Sequence, residues 1–425
     1  MSKKITVLLF CLFATFISAA GSLKTGNPIR KPSGQVGLMT EVQQKKITRF
    51  NEMLADEKYA EAKSGLTNML SSSGVSGYVQ AVIYQLLGHI DSLQGNYTSS
   101  AVNFKKAIDL DAMPNTTHFQ MMLQRAQLLM LNDDHRGGLK ALEEYMAAVD
   151  EIPDSAFAIK ANAHVQLEQF REGKAAIKQA IQLSEKPKET WYQLLLAVHS
   201  ELSEYREMAD VLRILIGIAP NKKVYWMQLH SVLFTLKKDK ESLAVWEMAY
   251  RKGLFDKESD YMQLFKLYSY NEVPYKAGDV LQKALEEGKV ESNFKNWKQL
   301  GQVWYGAREL RKSMSAYEQA SQYATDGEMD LTRSYLYVDL EEWNKAVESI
   351  NSALQKGGLD ENKTGNAWLM LGMSYASLKQ YSRARDAFNN AMKYQKSRSN
   401  AEQWLSHLTT LEKKAEAASQ DTAAE

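Results

Sequence analysis

Of 425 residues, one is a cysteine, Cys11. That excludes disulfide frameworks, CxxC redox pairs, cysteine zinc sites and thiol proteases. Proline is scarce as well, at seven, so little in the chain interrupts helices. Neither charge sign is in excess: 52 Lys and Arg stand against 51 Asp and Glu, a formal net charge of +1, far from the basic surplus of nucleic-acid binders. No GxGxxG opens a helix and no GxxxxGK[ST] occurs. Gly173-Lys174 and Gly288-Lys289 lack both the upstream glycine and the following hydroxyl, which removes nucleotide cradles. The histidines His89, His118, His135, His164, His199, His230 and His407 are scattered, and none lies in HExxH, so metal-ligand spacing fails. Adjacent acids such as Glu143-Glu144, Glu286-Glu287 and Glu341-Glu342 diverge by about 100° around a helix and cannot share a proton. The chain is read as no enzyme, with no catalytic, cofactor-binding or metal-binding residue assigned.

What is present begins with an address. Lys3 and Lys4 precede an apolar run from Ile5 to Ile17, and Ser18-Ala19-Ala20 sets small residues where a leader peptidase reads. Residues 1–20 thus resemble a secretory signal peptide, which implies cleavage after Ala20 and a periplasmic protein with no transmembrane segment left. The alternative is an uncleaved anchor in the inner membrane, against which the run falls short of the about 20 residues a spanning helix needs. Removing Lys3 and Lys4 turns 52 basic residues into 50 against 51 acids, so the mature chain is near neutral and free of thiols. Residues 21–40, rich in Gly, Pro, Ser and Asn without apolar periodicity, are expected to form a flexible basic leader. Over the stretch from Lys24 to Arg49, Lys24, Arg30, Lys31, Lys45, Lys46 and Arg49 face only Glu41, a pattern that suits a solvated tether, or contact with anionic lipid or an acidic partner.

The rest of the chain is periodic. Trp191, Trp226, Tyr261, Trp297 and Trp368 fall 35, 35, 36 and 71 residues apart. The last unit reads Trp368, Leu371, Gly372, Tyr375, Tyr381, Ala384, Phe388 and Ala391. Weaker copies include Trp297, Leu300, Gly301, Tyr317 and Ala320, and Tyr84, Leu87, Gly88, Tyr97, Phe104 and Ala107. These residues resemble the tetratricopeptide repeat signature, without the proline that often ends it. The resemblance implies an all-α, right-handed superhelical solenoid of about ten helical hairpins with a C-terminal capping helix. Units are expected to start near Gln43, Ala81, Phe119, Asp154, Lys188, Lys223, Glu258, Phe294, Gly327 and Gly365. The expected layout is repeats over 41–399, the cap over 400–416 and a disordered tail over 417–425. Gly88, Gly301 and Gly372 are expected to let the second helix of each pair approach closely beside a large residue. Ala384, Phe388 and Ala391 form an i, i+4, i+7 stripe on a second helix.

Stacked hairpins offer a groove in place of a pocket. In tetratricopeptide arrays it is lined by the first helix of each pair, near its second, fifth, ninth, twelfth and thirteenth positions. That register selects Tyr192, Leu196, His199, Met227, Phe234, Met262, Lys266, Tyr270, Lys298, Tyr305 and Tyr335 as candidate partner-binding residues. Aromatic and methionine side chains suit an apolar or extended peptide segment, or a helix. Chaperone-tail clamps of the family pair Lys with Asn on adjacent repeats. Here only Asn162 and Lys298 occupy such positions, four repeats apart, which disfavours that partner.

A narrower likeness runs through Tyr225-Trp226-Met227-Gln228-Leu229, Ala249-Tyr250-Arg251-Lys252-Gly253-Leu254 and Val273-Pro274-Tyr275-Lys276-Ala277. It continues in Lys356-Gly357-Gly358-Leu359, Lys396-Ser397-Arg398 and Ala401-Glu402-Gln403-Trp404. These words resemble the periplasmic repeat proteins that accompany TonB-type energy-transducing systems of Gram-negative bacteria. The resemblance implies a scaffold acting with TonB, ExbB and ExbD in nutrient uptake, iron complexes among them. The competing expectation is an adaptor for outer-membrane, lipopolysaccharide or cell-wall assembly.

Overall fold

A computed structural model describes the backbone of residues 39–424 and the side chains of 39–412. The expected signal segment and nearly all of the basic leader lie outside the described residues. Within them the chain forms 21 α-helices and no strand. They divide into two compact units that meet in sequence at Leu236 and Lys237. The first unit holds α1 (Glu41–Ala55), α2 (Tyr59–Leu70), α3 (Gly77–Leu93), α4 (Tyr97–Asp109), α5 (Asn115–Leu131), α6 (His135–Ala148), α7 (Asp154–Gln166), α8 (Phe170–Leu183), α9 (Glu189–Glu201), α10 (Tyr205–Ile218) and α11 (Lys223–Thr235). The second holds α12 (Asp239–Arg251), α13 (Glu258–Tyr270), α14 (Pro274–Glu286), α15 (Phe294–Gly306), α16 (Leu310–Tyr323), α17 (Glu328–Asp339), α18 (Trp343–Lys356), α19 (Glu361–Ser377), α20 (Tyr381–Ala391) and α21 (Gln395–Ala424). In each unit consecutive helices pack in pairs, and each pair packs on the next, as the all-helical repeat reading requires.

Every turn from a first helix to its second holds one residue in the left-handed region. These are Glu57, Gly95, Asp133, Glu168, Ser203, Lys237, Glu272, Arg308, Glu341 and Lys379. At the turns within each unit the next residue's amide reaches back to a carbonyl in the last turn of the first helix, as in Asn96 to Asp91 at 2.8 Å and Gln380 to Tyr375 at 2.9 Å. This is a Schellman closure, in which the left-handed residue satisfies carbonyls that the helix end leaves free. Only Gly95 is a glycine, so at the other nine turns a side chain accepts a conformation that costs L-residues about 1–2 kcal/mol.

The glycines act as expected inside the hairpins. A Cβ on Gly372 would lie 2.5 Å from the Phe388 ring, one on Gly301 2.4 Å from Tyr317, and one on Gly88 3.2 Å from Phe104. The same close approach lets Ser100 Oγ donate to the Gly88 carbonyl at 2.7 Å and Ser313 Oγ donate to that of Gly301 at 2.8 Å. Two buried carboxylates tie helices together. Asp91 accepts from Lys63 at 2.6 Å and Asn103 at 2.8 Å. Asp330 accepts from Ser321 at 2.9 Å and Arg333 at 3.2 Å, with Lys356 Nζ at 2.7 Å from its second oxygen.

The final helix differs from expectation in extent. It starts at Gln395, ahead of the expected Asn400, and its backbone stays helical to Ala424, past the expected end at 416. The early start follows from Gly365, whose missing side chain leaves room for Tyr394 and Ser397 and so lets the turn after α20 close at once. Ala401 and Leu408 of α21 are buried, and Trp404 stacks on Phe388 with ring centroids 5.8 Å apart, closing the apolar end of the last hairpin.

Candidate interaction surface

The eleven candidate residues sit on first helices, and the structure sorts them by burial. In the first unit, α9 is apolar nearly all round and correspondingly hidden: Trp191, Leu194, Leu195, Leu196, Val198 and His199 are all buried. Of the candidates on this helix, Leu196 and His199 are thus packed inside the unit, and Tyr192 is half-buried. His199 is 2% exposed, and its Nδ1 lies 2.6 Å from Glu204 Oε2, across the hairpin turn. The other Glu204 oxygen accepts from Lys174 at 2.6 Å, and these bonds, Lys174 first and His199 second, hold the carboxyl below its ordinary value. His164 occupies the same place on α7 and meets Gln169 at 2.8 Å. On α11, by contrast, Met227 and Phe234 are exposed, as is Val224, which stands at the second place of the register without being among the candidates.

In the second unit the first helices stay open. Tyr270 on α13 is 63% exposed, Tyr305 on α15 54%, and Tyr335 on α17 is exposed as well. Lys266 is exposed, while Met262 and Lys298 are half-buried. Lys298 and Tyr335 come together in a cleft of about 190 Å³ between α15, α17 and the first turn of α19. Gln302, Glu328, Thr332 and Lys363 complete its polar rim, over a floor of Tyr317, Met329 and Leu331. Lys363 is ion-paired with Glu328, whose hydrogen bond holds the ammonium above the ordinary lysine value, and it lies 3.8 Å from Asp360. Thr332 Oγ1 donates to the Glu328 carbonyl at 2.8 Å. Lys298 Nζ stands 5.4 Å from the centroid of the Phe294 ring, a cation–π distance. Burial pushes the Tyr335 phenol up, against the pull of Lys363, so it stays a neutral hydroxyl able to donate.

Gln302 occupies the ninth place of its unit and was available to the same register. Lys363 was not, because α19 begins at Glu361, ahead of the unit start expected at Gly365. A second cleft of about 290 Å³ lies elsewhere in this unit, where Tyr250, Phe255 and Tyr261 meet Arg251, Lys283 and Glu287. Its rings are mutually packed, Phe255 and Tyr261 edge-on at 5.3 Å, and Arg251 is ion-paired with Glu247. Among the described residues no group of three or more His, Cys, Asp or Glu could hold a metal ion, and no helix is long and apolar enough to cross a membrane.

Residues 154–187 and 365–398 match the tetratricopeptide repeat family model, the first stretch enclosing α7 and α8 and the second most of α19 and all of α20. No curated protein matches the sequence. Among solved structures, a tetratricopeptide repeat protein from Parabacteroides merdae is 12% identical, with 67% of this chain and 94% of that one covered and a TM-score of 0.39. MamA from Desulfovibrio magneticus is 17% identical, covering 44% of this chain and 99% of that one at a TM-score of 0.37. YrrB, described as a TPR protein with an unusual peptide-binding site, is 16% identical, covering 45% and 96% at a TM-score of 0.32.

Proposed function

We propose that this chain, which carries tetratricopeptide repeats, is a non-catalytic periplasmic scaffold that holds a peptide segment or helix of an envelope complex against its first helices. The observation that carries the reading is the exposure of Met227, Phe234, Tyr270, Tyr305 and Tyr335. Large apolar side chains of this kind anchor contacts in interfaces, and within the second unit Tyr270, Tyr305 and Tyr335 recur on the successive first helices α13, α15 and α17, where a bound segment can run from repeat to repeat. The resemblance of the loop words to the repeat proteins of TonB systems supports TonB, ExbB or ExbD as the partner. The leader at residues 1–20 supports the compartment. Binding here needs no chemistry: affinity comes from burying the aromatics and pairing the lysines around them.

The test is to crosslink the tagged full-length protein in intact cells and identify captured partners by mass spectrometry, beside a variant carrying Met227→Ala, Phe234→Ala and Tyr270→Ala. Recovery of TonB, ExbB or ExbD by the parent and its loss in the variant is the expected result. Recovery of outer-membrane or cell-wall assembly proteins in their place would sink the energy-transduction reading. Capture unchanged by the three substitutions would move the contact off the first helices.

A further inference from the structure

We propose that the cleft between α15, α17 and α19 receives the carboxylate of an acidic side chain within the bound segment, with Lys298 as the pairing cation and Tyr335 and Gln302 as orienting donors. The inference rests on the scaffold reading and adds the chemistry of the partner to it.

The charge around the cleft is unbalanced. Helix α15 has the sequence FKNWKQLGQVWYG and contains no acid. Among the described residues no carboxylate lies within salt-bridge reach of Lys298, nor of Lys295 on the same helix or Lys266 on α13. Three acids on the neighbouring first helices α13 and α17 are already engaged or placed elsewhere. Asp260 is buried and accepts from the backbone amides of Asp256 and Lys257 at 3.2 Å. Asp330 is enclosed by Lys356 and Arg333, and Asp339 stands at the far end of α17. Within the cleft the other ammonium, Lys363, already has Glu328. Lys298 is thus the cation left over, held half-buried against the Phe294 ring and facing a space lined by two further donors, the Tyr335 hydroxyl and the Gln302 amide.

A segment laid over this cleft would strip water from Lys298, and covering an ammonium without a partner is costly. An acidic side chain turns that cost into a charge-assisted hydrogen bond, whereas a neutral one leaves the charge unpaired, so the cleft selects by rejection as much as by attraction. The same arrangement disfavours a small free dianion, because one cation is uncompensated and the Glu328 carboxylate stands on the rim. The exposed Tyr305 ring, on the same helix as Lys298, is placed to take an apolar residue of the segment.

The test uses the full chain on an array of 12-residue peptides with acetylated and amidated ends, so that no terminal carboxylate is present. The array is scanned position by position with Asp, Glu, Asn, Gln and Lys. Expected is a preference for Asp or Glu over Asn or Gln at one position, about tenfold, falling to near parity in Lys298→Gln and kept in Lys298→Arg. Lys298→Glu should reverse it toward Lys, and Tyr335→Phe should weaken it while leaving binding of the apolar position intact. An acidic preference untouched by Lys298→Gln, or peptide binding with none, overturns the proposal. So does competition by inorganic phosphate at equal potency to peptide, which would mark a free-anion site. If TonB, ExbB or ExbD is captured in cells while the array shows no acidic preference, this proposal fails and the scaffold reading stands. Acidic selection without any envelope partner is the reverse outcome.

Discussion

Helices α9 and α15 are both first helices of their hairpins, one in each unit, yet they treat the same register oppositely. Helix α9 leaves only Gln193, Ser200 and Glu201 exposed, and its candidates Leu196 and His199 vanish into packing. Helix α15 keeps Lys295, Gln302 and Tyr305 at the surface and half-exposes Lys298. Local sequence explains part of this. α9 reads ETWYQLLLAVHSE, apolar on nearly every side, so it must be buried on nearly every side, whereas α15 interleaves Lys and Gln with its aromatics. The comparison teaches that a repeat register says where a side chain points and leaves open whether anything remains to be contacted there.

The two units can be set against each other experimentally. The largest effect is expected at the buried carboxylates. Asp330→Ala removes the nearest carboxylate from Arg333, whose side chain is 14% exposed, and from Lys356, and should cost about 3–5 kcal/mol in urea unfolding. Asp91→Ala frees the more exposed Lys63 and should cost less, about 1–3 kcal/mol. Equal losses would refute the claim that enclosure of the partners sets the difference. Next come the glycines. Gly301→Ala forces a methyl to 2.4 Å from the Tyr317 ring and should lower stability by about 1–3 kcal/mol, while Gly88→Ala, at 3.2 Å from Phe104, should lose less than half of that. Thermal melts of the two variants decide it.

Acid should separate the units more gently. Burial pushes the imidazoles of His89 and His230, both in the first unit, below their ordinary value of 6.5. The unfolded chain then takes up protons first, so stability is lost as pH falls below 6.5 toward the depressed folded values. In the second unit Glu247 is opposed by burial but held low by hydrogen bonds from Lys276, Tyr268 and Arg251. Its contribution is complete above the ordinary 4.5 and is lost only as pH falls below it. Hydrogen exchange at pH 7.5 and 5.5 should therefore show α3 and α11 opening more readily at the lower pH, with α12 and α14 unchanged. The opposite order would refute the assignment. The smallest effect belongs to the turns. Lys379→Gly relieves a left-handed side chain and should stabilise by about 0.5–1 kcal/mol, whereas Gly95→Ala at the matching turn of the first unit should destabilise by a similar amount, both read from denaturant midpoints.

The hairpins themselves were legible in the sequence because what makes them is local. The 35-residue spacing of Trp191, Trp226 and Tyr261 and the pairing of Gly372 with Phe388 each need only one hairpin and its neighbour to be understood. The Schellman turns were not legible, since nine of the ten left-handed residues are Glu, Asp, Ser, Lys or Arg, with no glycine to mark them. The exposure of the candidate residues was legible only in part. Tyr270, Tyr305 and Tyr335 were selected and are exposed. Leu196 and His199 were selected and are buried, because α9 is apolar on nearly every side.

The amino-acid sequence by itself determined a helical repeat and the interlock of small and large residues, because helix period and hairpin packing depend on residues within one hairpin or its neighbour. Only the tertiary structure decided which cation stays unpaired. Nothing in the sequence tells which of Lys298 and Lys363 finds a carboxylate, but the extra first turn of α19 carries Lys363 to Glu328 and leaves Lys298 facing the cleft alone. Charge compensation acts through space between helices far apart in the chain, and no local pattern records it.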